Sequence, residues 1–293
     1  MYVIVGANGY LGAYFIKNIL EKTDEEITAV DLTEGRAGGA RVRWIHCDIT
    51  KPEDVAELNE TVLRRSGENK IIFLAAYHHP DLVEKNPRLA WDVNVTSLSR
   101  FLNMADNVKR LVYPSTDSVY GEGGQERRFR ETDELHPVNR YGVQKTVAEK
   151  LVTAYGYQVV RFPFLIAPSL VPGRKHFYDT LAESLLAGKP IEMFQDSYRS
   201  SLSFDTAAGL TVELAEREEA VPQIINVCGD KALSKYDVGL LLAEKLGVSR
   251  ELVVPISVAG SQGIFEAKRA GSTVMDNALL KRTLGLSSVA LEL

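Results

Sequence analysis

Cysteine is scarce in this chain of 293 residues, which contains only Cys47 and Cys228. The two lie far apart in the sequence and form no CxxC pair, so neither a disulfide framework nor a thiolate metal cluster is indicated. We therefore expect no metal site. Such cysteine usage is typical of a reducing, cytoplasmic environment.

Long hydrophobic runs and an excess of positive charge are also missing. The apolar run 2–5 is too short for a signal-peptide core, and no later stretch approaches the length of a membrane-spanning helix. Lysine and arginine number 34 against 39 aspartates and glutamates, a net charge of −5, which offers no basic surface to a nucleic-acid backbone. We expect neither a membrane nor a nucleic acid as a partner.

What the sequence does have is the composition of an ordinary globular protein, 45% hydrophobic and 25% charged. Short β-branched runs alternate with segments whose apolar residues recur every three or four positions. The predicted strands are 2–5, 27–31, 43–47, 71–75, 110–114 and 157–162, and the predicted helices are 11–22, 52–65, 87–106, 141–155, 177–187 and 235–246. This alternation predicts an α/β fold with a doubly wound parallel sheet.

A glycine motif follows the first predicted strand. Gly6, Gly9 and Gly12 are spaced three apart and open a helix, where the backbone can turn tightly and a pyrophosphate can bind free N–H groups. The alternative is a turn whose glycines serve packing alone. Asp31 ends the second strand, where a carboxylate can bind an adenosine ribose and would repel a 2′-phosphate, which favours NAD over NADP. Arg36 lies close enough to weaken that discrimination, and a solvated aspartate is the other interpretation of Asp31.

A tyrosine and a lysine lie four residues apart on a predicted helix. Tyr141 and Lys145 share one helix face, and an ammonium beside a phenol favours the charged form of the phenol. Such a tyrosine can exchange a proton with a sugar hydroxyl or carbonyl. The alternative is a surface pair. Ser115, Thr116 and Asp117 favour the catalytic interpretation, because they follow a strand whose carboxyl end borders the ligand crevice of such a sheet.

Together these segments make the chain similar to the extended short-chain dehydrogenase/reductases that act on nucleotide sugars. The similar segments are the glycine motif, Asp31, Asp48, Leu74-Ala75-Ala76, Asn94, the Ser-Thr-Asp segment, the Tyr/Lys motif and 201–208. The resemblance implies a Rossmann domain over residues 1–163, to which segments such as 201–228 return. Residues 164–293 would then form a smaller α/β lobe that mainly binds substrate.

The resemblance also implies roles for individual residues. Thr116, Tyr141 and Lys145 would form the catalytic triad, with Asp117 as a second acid or as a residue that orients the loop. The residues expected near the dinucleotide are Gly6, Asn8, Gly9, Tyr10, Leu11, Gly12, Asp31, Asp48, Ile49, Leu74, Ala75, Ala76, Asn94, Tyr141 and Lys145. For Asp48, an acid in the turn before a helix is the competing interpretation.

Substrate contacts are expected from Arg199 and Ser115. Arg199 resembles the arginine that meets a nucleotide diphosphate, since a guanidinium suits phosphate, although Arg174 and Lys175 are rival anion ligands. A plain surface arginine is the alternative. The predicted helix 89–104 offers a candidate homodimer face, unless its apolar stripe is only core.

The segments 81–87, 115–117 and 269–284 are most similar to dTDP-4-dehydrorhamnose reductases, whereas Tyr10 and the segment 119–121 resemble epimerases. Ser118 stands where 4,6-dehydratases carry a glutamate, so dehydration is not expected. We therefore expect an NAD(P)-dependent nucleotide-sugar epimerase or reductase that transfers a hydride at a sugar carbon. The alternatives are a dTDP-4-dehydrorhamnose-type 4-keto-sugar reductase and a regulatory subunit that binds the dinucleotide without turnover.

Overall fold

The computed structural model describes residues 1–33, 35, 39–124, 126–258 and 265–293. Its strands are β1 (Tyr2–Val5), β2 (Ile27–Asp31), β3 (Val42–His46), β4 (Asn69–Phe73), β5 (Val108–Thr116), β6 (Gln158–Phe162), β7 (Ile191–Phe194), β8 (Tyr198–Arg199), β9 (Ile224–Asn226), β10 (Leu233–Ser234) and β11 (Val253–Ile256). Seven of them form a parallel sheet in the order β3-β2-β1-β4-β5-β6-β9. The predicted α/β class with a doubly wound parallel sheet is confirmed.

Helices cover both faces of this sheet. They are α1 (Tyr10–Lys22), α2 (Pro52–Leu58), α3 (Pro80–Lys85), α4 (Pro87–Trp91), α5 (Ser97–Met104), α6 (Arg140–Ala154), α7 (Phe177–Leu186), α8 (Phe204–Glu216), α9 (Lys235–Leu246) and α10 (Ala278–Leu284). A π-helical turn, Asn59–Leu63, extends α2, and a second one, Asp92–Thr96, joins α4 to α5. No helix in the described part of the chain is both long enough and apolar enough to cross a membrane.

Helices cover both faces of the sheet, and successive side chains of each strand point to opposite faces. Both sets of side chains are therefore buried. Ile4 packs in the cluster that contains Phe15 of α1 and Val212 of α8. Val5, the next residue, packs on the other face in a cluster with Phe101 of α5. Continuous apolar strands are therefore what this architecture requires.

The strand order reverses between β1 and β4. From β1 the chain proceeds outward to β2 and β3, and from β4 it proceeds the other way to β5 and β6. Ligands of open α/β sheets bind in the crevice outside the carboxyl ends of the strands at such a point. Here the backbone N–H groups of Leu74 and Ala75, just after β4, donate to the Val5 carbonyl at 2.7 and 2.9 Å.

A smaller group of elements lies beyond β6. β11 pairs in parallel with β7, and α7 and α9 pack with these strands in a separate hydrophobic cluster. β8 pairs antiparallel with β10, with Arg199 opposite Leu233. Between these elements the chain returns to the large sheet, because α8 packs on the α1 face and β9 pairs with β6.

Candidate active site

Two of the three motif glycines are required by the packing of the protein itself. Gly6 has a φ of +87°, and a Cβ added there would lie 2.6 Å from the Ala75 nitrogen. A Cβ on Gly12 would lie 2.2 Å from the Ala7 carbonyl oxygen. These two glycines hold the loop close to β4 and to its own first turn.

Gly9 is different, because nothing within the described protein requires a glycine there. Its φ of −82° suits any residue, and an added Cβ would meet only the Gly6 carbonyl oxygen, at 3.5 Å. Gly9 is the N-cap of α1 yet supplies no side-chain cap, and no acidic residue stands in the first turn. The free N–H groups and the open space above Gly9 fit the pyrophosphate of a dinucleotide.

Asp31 lies at the end of β2 next to this glycine loop. Its Oδ2 accepts the Asn8 backbone N–H at 2.9 Å, and the Asn8 side chain donates to the Thr33 hydroxyl at 2.8 Å. Arg174 approaches from the other side and donates to the Asn8 carbonyl at 2.8 Å. Asp31 is thus fixed beside the glycine loop, and its contact with a ribose stays a prediction. Arg36 lies outside the described residues.

Three further residues predicted near the dinucleotide have structural roles within the protein. The Tyr10 hydroxyl donates to the Lys175 carbonyl at 2.7 Å, and Ile49 is buried. Asp48 Oδ1 accepts the backbone N–H and the hydroxyl of Thr50, at 2.9 and 2.6 Å, and these bonds lower the pKa of Asp48. This geometry favours the turn-forming interpretation of Asp48, whereas the adenine contact stays a prediction.

The Tyr/Lys helix begins against the loop that follows β5. Asn139 caps α6 by accepting the Gly142 N–H at 2.9 Å. A Cβ on Gly142 would lie 2.7 Å from the Ser118 carbonyl oxygen, so only glycine allows this close approach. Tyr141 is thereby placed near Asp117, whose carboxylate acts on its pKa.

In the structure, burial and Asp117 rather than Lys145 act on the pKa of Tyr141, and the effect expected from Lys145 stays a prediction. Burial, and then the Asp117 carboxylate, raise the pKa of the Tyr141 phenol. The Lys145 Nζ donates to the Tyr113 hydroxyl at 2.8 Å and to the Pro114 carbonyl at 2.6 Å. Burial lowers the pKa of Lys145 itself to about 7. The lysine therefore anchors α6 to β5 through partners that the sequence pattern did not reveal.

Asp117 is fixed by neighbours on three sides. Thr116 Oγ1 lies 3.1 Å from Asp117 Oδ1, the Arg199 Nε lies 3.1 Å from Asp117 Oδ2, and the Thr273 hydroxyl donates to the same Oδ2. Asp117 is also 95% buried, since only 5% of its surface is exposed. Of the two roles left open by the sequence, this arrangement favours orientation of the Thr116 loop over action as a second acid.

Arg199 uses most of its guanidinium N–H groups within the protein. Besides Asp117, it donates to the carbonyls of Tyr198 at 2.7 Å, Gly271 at 3.0 Å and Ala270 at 2.8 Å. The planar fork is thus engaged within the protein. Arg199 thus supports Asp117 and the segment 270–271, and its contact with substrate stays a prediction.

Asn94 is likewise engaged internally. Its Oδ1 accepts the Tyr77 N–H at 2.7 Å, and its Nδ2 donates to the Tyr77 carbonyl at 3.1 Å and to Gln144 Oε1 at 2.7 Å. These bonds tie the segment after β4 to α6, so Asn94 positions the helix that carries Tyr141. Both hydrogens of the Asn94 side-chain amide are bound within the protein, so neither is free for the predicted cofactor contact.

Ser115 is the opposite case. Its Oγ is buried and has no hydrogen-bond partner among the described residues. It lies in β5 next to Thr116, at the edge of the crevice. An orphaned hydroxyl at this place fits the predicted contact with a ligand, and that contact stays a prediction.

The family follows from a match that spans nearly the whole chain. Residues 1–292 match the family model described as RmlD substrate binding domain. The chain belongs to this family. The match confirms the resemblance to extended short-chain dehydrogenase/reductases with dTDP-4-dehydrorhamnose reductase-like features.

The curated relatives of this protein include both epimerases and reductases. A UDP-glucose 4-epimerase of Halalkalibacterium halodurans is 28% identical over 63% of this chain and 56% of its own length. The chain thus spans little more than half of that relative. The probable low-salt glycan biosynthesis reductase Agl14 of Haloferax volcanii is 26% identical over 100% of this chain and 95% of its own.

Solved structures share the fold over the full length. A dTDP-4-dehydrorhamnose reductase of Bacillus anthracis in complex with NADP has a TM-score of 0.77 at 20% identity, covering 96% of this chain and 92% of its own. A UDP-glucuronic acid 4-epimerase of Bacillus cereus in complex with UDP-glucuronic acid and NAD has a TM-score of 0.79 at 20% identity, covering 99% and 95%. Those two proteins bind a nicotinamide dinucleotide on the same architecture.

Sequence reasoning missed the residues that hold the candidate catalytic groups in place. Tyr113 and Thr273 are examples, since one binds Lys145 and the other binds Asp117. A tyrosine inside an otherwise apolar strand was a usable signal, because a buried hydroxyl needs a partner. The bond from Thr273 joins segments 156 residues apart in sequence and had no local signal.

Proposed function

We propose that this chain is an NAD-dependent enzyme that acts on a nucleotide sugar as an epimerase or a reductase. The observation that carries the proposal is the close packing of α6 on the loop after β5, which brings the helix that carries Tyr141 and Lys145 against the strand end that carries Thr116. The open position at Gly9 supplies the dinucleotide site beside it. Residues 1–163 would bind the dinucleotide, and residues 164–293 would mainly bind the sugar nucleotide.

When bound, NAD supplies or accepts the hydride that the reaction requires. The glycine loop and the N-terminus of α1 would hold its pyrophosphate, and Asp31 its adenosine ribose. Thr116 would donate to, or accept from, the oxygen at the reacting sugar carbon. Lys145 holds the crevice wall formed by Tyr113 and Pro114.

Tyr141 is the proposed general acid and base. Because burial and the Asp117 carboxylate raise its pKa, Tyr141 carries its proton at neutral pH. A protonated phenol can donate to the oxygen of a keto sugar, which is the proton transfer that a reduction requires.

The experiment replaces one hydroxyl at each end of the same helix. Tyr141→Phe should lower turnover at least about 100-fold while the dissociation constant for NAD stays the same, because general acid–base catalysis contributes that much. Tyr155→Phe, at the exposed end of α6, is the matched control and should retain wild-type activity. Full activity of Tyr141→Phe would end the proposal.

The cofactor balance separates the remaining alternatives. A reductase consumes one NADH or NADPH for each sugar, whereas an epimerase changes the sugar with no net consumption. Tight dinucleotide binding without turnover, together with a stoichiometric protein partner, would favour the regulatory subunit.

The homodimer also belongs to the proposal. Leu89 and Trp91 are exposed on α4, within the helical segment predicted to pair with a second copy. Light scattering after size-exclusion chromatography should give twice the chain mass for the wild type and the monomer mass for Trp91→Asp. A wild-type monomer at high concentration would contradict the homodimer.

A further inference from the structure

Lys235 is a partly buried lysine with no anionic partner in the described structure. It is the first residue of α9, and its Nζ lies 5.4 Å from the ring centroid of Phe164 and 5.9 Å from those of Phe177 and Phe194. Across the described residues it forms neither an ion pair nor a hydrogen bond. Aromatic faces attract an ammonium, but they do not neutralise its charge.

Two neighbouring cations have partners, and this sets Lys235 apart. Arg199 pairs with Asp117 at 3.1 Å, and Arg269 pairs with Asp81 at 3.0 Å. Burial first, and then the charges of these two arginines, lower the pKa of Lys235 to about 8. Of these three cations, Lys235 is the one without a carboxylate partner among the described residues, so it is the one that can pair with an additional anion.

The strand pairing fixes where Lys235 lies relative to the proposed catalytic groups. β10 pairs with β8 so that Ser234 is opposite Tyr198, and Lys235 follows directly. On β8, Arg199 reaches Asp117, which lies next to Thr116. Lys235 therefore lies in the smaller lobe near Arg199, whose charge acts on it and whose side chain contacts Asp117.

We propose that Lys235 binds an oxyanion of the substrate, the task that the sequence had assigned to Arg199. The inference rests on the proposed function, because it identifies the group through which the smaller lobe holds the nucleotide sugar. A diphosphate and a sugar carboxylate share this chemistry. Arg199 is less available for this task, since most of its N–H groups face Asp117 and three backbone carbonyls.

The test compares Lys235→Gln with Lys231→Gln, an exposed lysine four positions earlier, by isothermal titration calorimetry. The probes are UDP, dTDP, uridine, inorganic pyrophosphate, UDP-glucose and UDP-glucuronic acid. If the anion is the diphosphate, Lys235→Gln should weaken UDP, dTDP or pyrophosphate about tenfold or more and leave uridine unchanged. If it is a carboxylate, only the preference for UDP-glucuronic acid over UDP-glucose should be lost.

A second measurement separates ligand binding from a structural role. An unpaired charge in a partly buried site does not stabilise the fold, so Lys235→Gln without ligand should melt at the wild-type temperature or above it. Lys235→Arg should restore part of the affinity. Dissociation constants within twofold of wild type for every probe, or a wild-type protein that binds none of them, would overturn the assignment. The Tyr141→Phe experiment judges the proposed function separately, because its readouts are turnover and NAD affinity.

Discussion

The most informative perturbation of the dinucleotide site is Gly9→Ala, because the structure predicts a small effect on stability and a large loss of NAD affinity. The added methyl group would lie 3.5 Å from the nearest protein atom, an ordinary contact, and the φ of −82° is suitable for alanine. Loss of a permissive N-cap and the gain from a stiffer unfolded chain are each about 0.5–1 kcal/mol and oppose each other. We therefore expect the melting temperature to change by less than about 4 °C.

The same methyl group would occupy the space proposed for the pyrophosphate. The dissociation constant for NAD, followed by calorimetry, should rise at least about 100-fold, or roughly 2.7 kcal/mol. Gly12→Ala is the matched control for stability. Its Cβ would lie 2.2 Å from the Ala7 carbonyl oxygen, so this variant should lower the free energy of unfolding by about 1–3 kcal/mol. Wild-type NAD affinity in a well-folded Gly9→Ala protein would refute the reasoning.

Two further predictions concern buried charges. Lys145 has a pKa lowered by burial from 10.5 to about 7, so above pH 7 unfolding takes up a proton there and rising pH disfavours unfolding. The melting temperature of the wild type should therefore rise between pH 7 and 8.5 relative to Lys145→Met, and parallel pH profiles would count against this. Glu149 and Arg161 are both 2% exposed and pair at 2.6 Å, so Glu149→Gln should cost about 3–5 kcal/mol and lower the melting temperature on the order of 10 °C. An unchanged melting temperature, with exposed Lys150→Gln as the reference, would contradict that value.

Much of the sheet could be predicted because its strands are buried on both sides and are marked by continuous apolar runs. The strands 2–5 and 27–31 have the predicted bounds, and the strand predicted at 71–75 begins two residues earlier. The helix α8 was not predicted, since its apolar residues face both α1 and the sheet and leave little periodic contrast. Its Ser203 cap, which accepts the Thr206 N–H, was a local signal that could have marked its start.

The site was predictable where chemistry depends on local spacing, as in the glycine motif and the Tyr/Lys pair. It was not predictable where long-range contacts decide which partner a charged group takes. The engagement of Arg199 by Asp117 and the absence of such a partner for Lys235 among the described residues depend on strand pairing in the smaller lobe. A single sequence has no pattern that encodes that pairing.

The central claim is that the chain catalyses a hydride transfer at a sugar carbon. The most direct measurement incubates the purified protein with UDP- and dTDP-sugars, including 4-keto forms, and follows nicotinamide absorbance and sugar identity together. The account predicts either stoichiometric loss of NADH or NADPH with reduction of a 4-keto sugar, or an epimerised sugar with no net loss. An unchanged sugar and an unchanged absorbance with every nucleotide sugar, from protein that binds NAD, would contradict it.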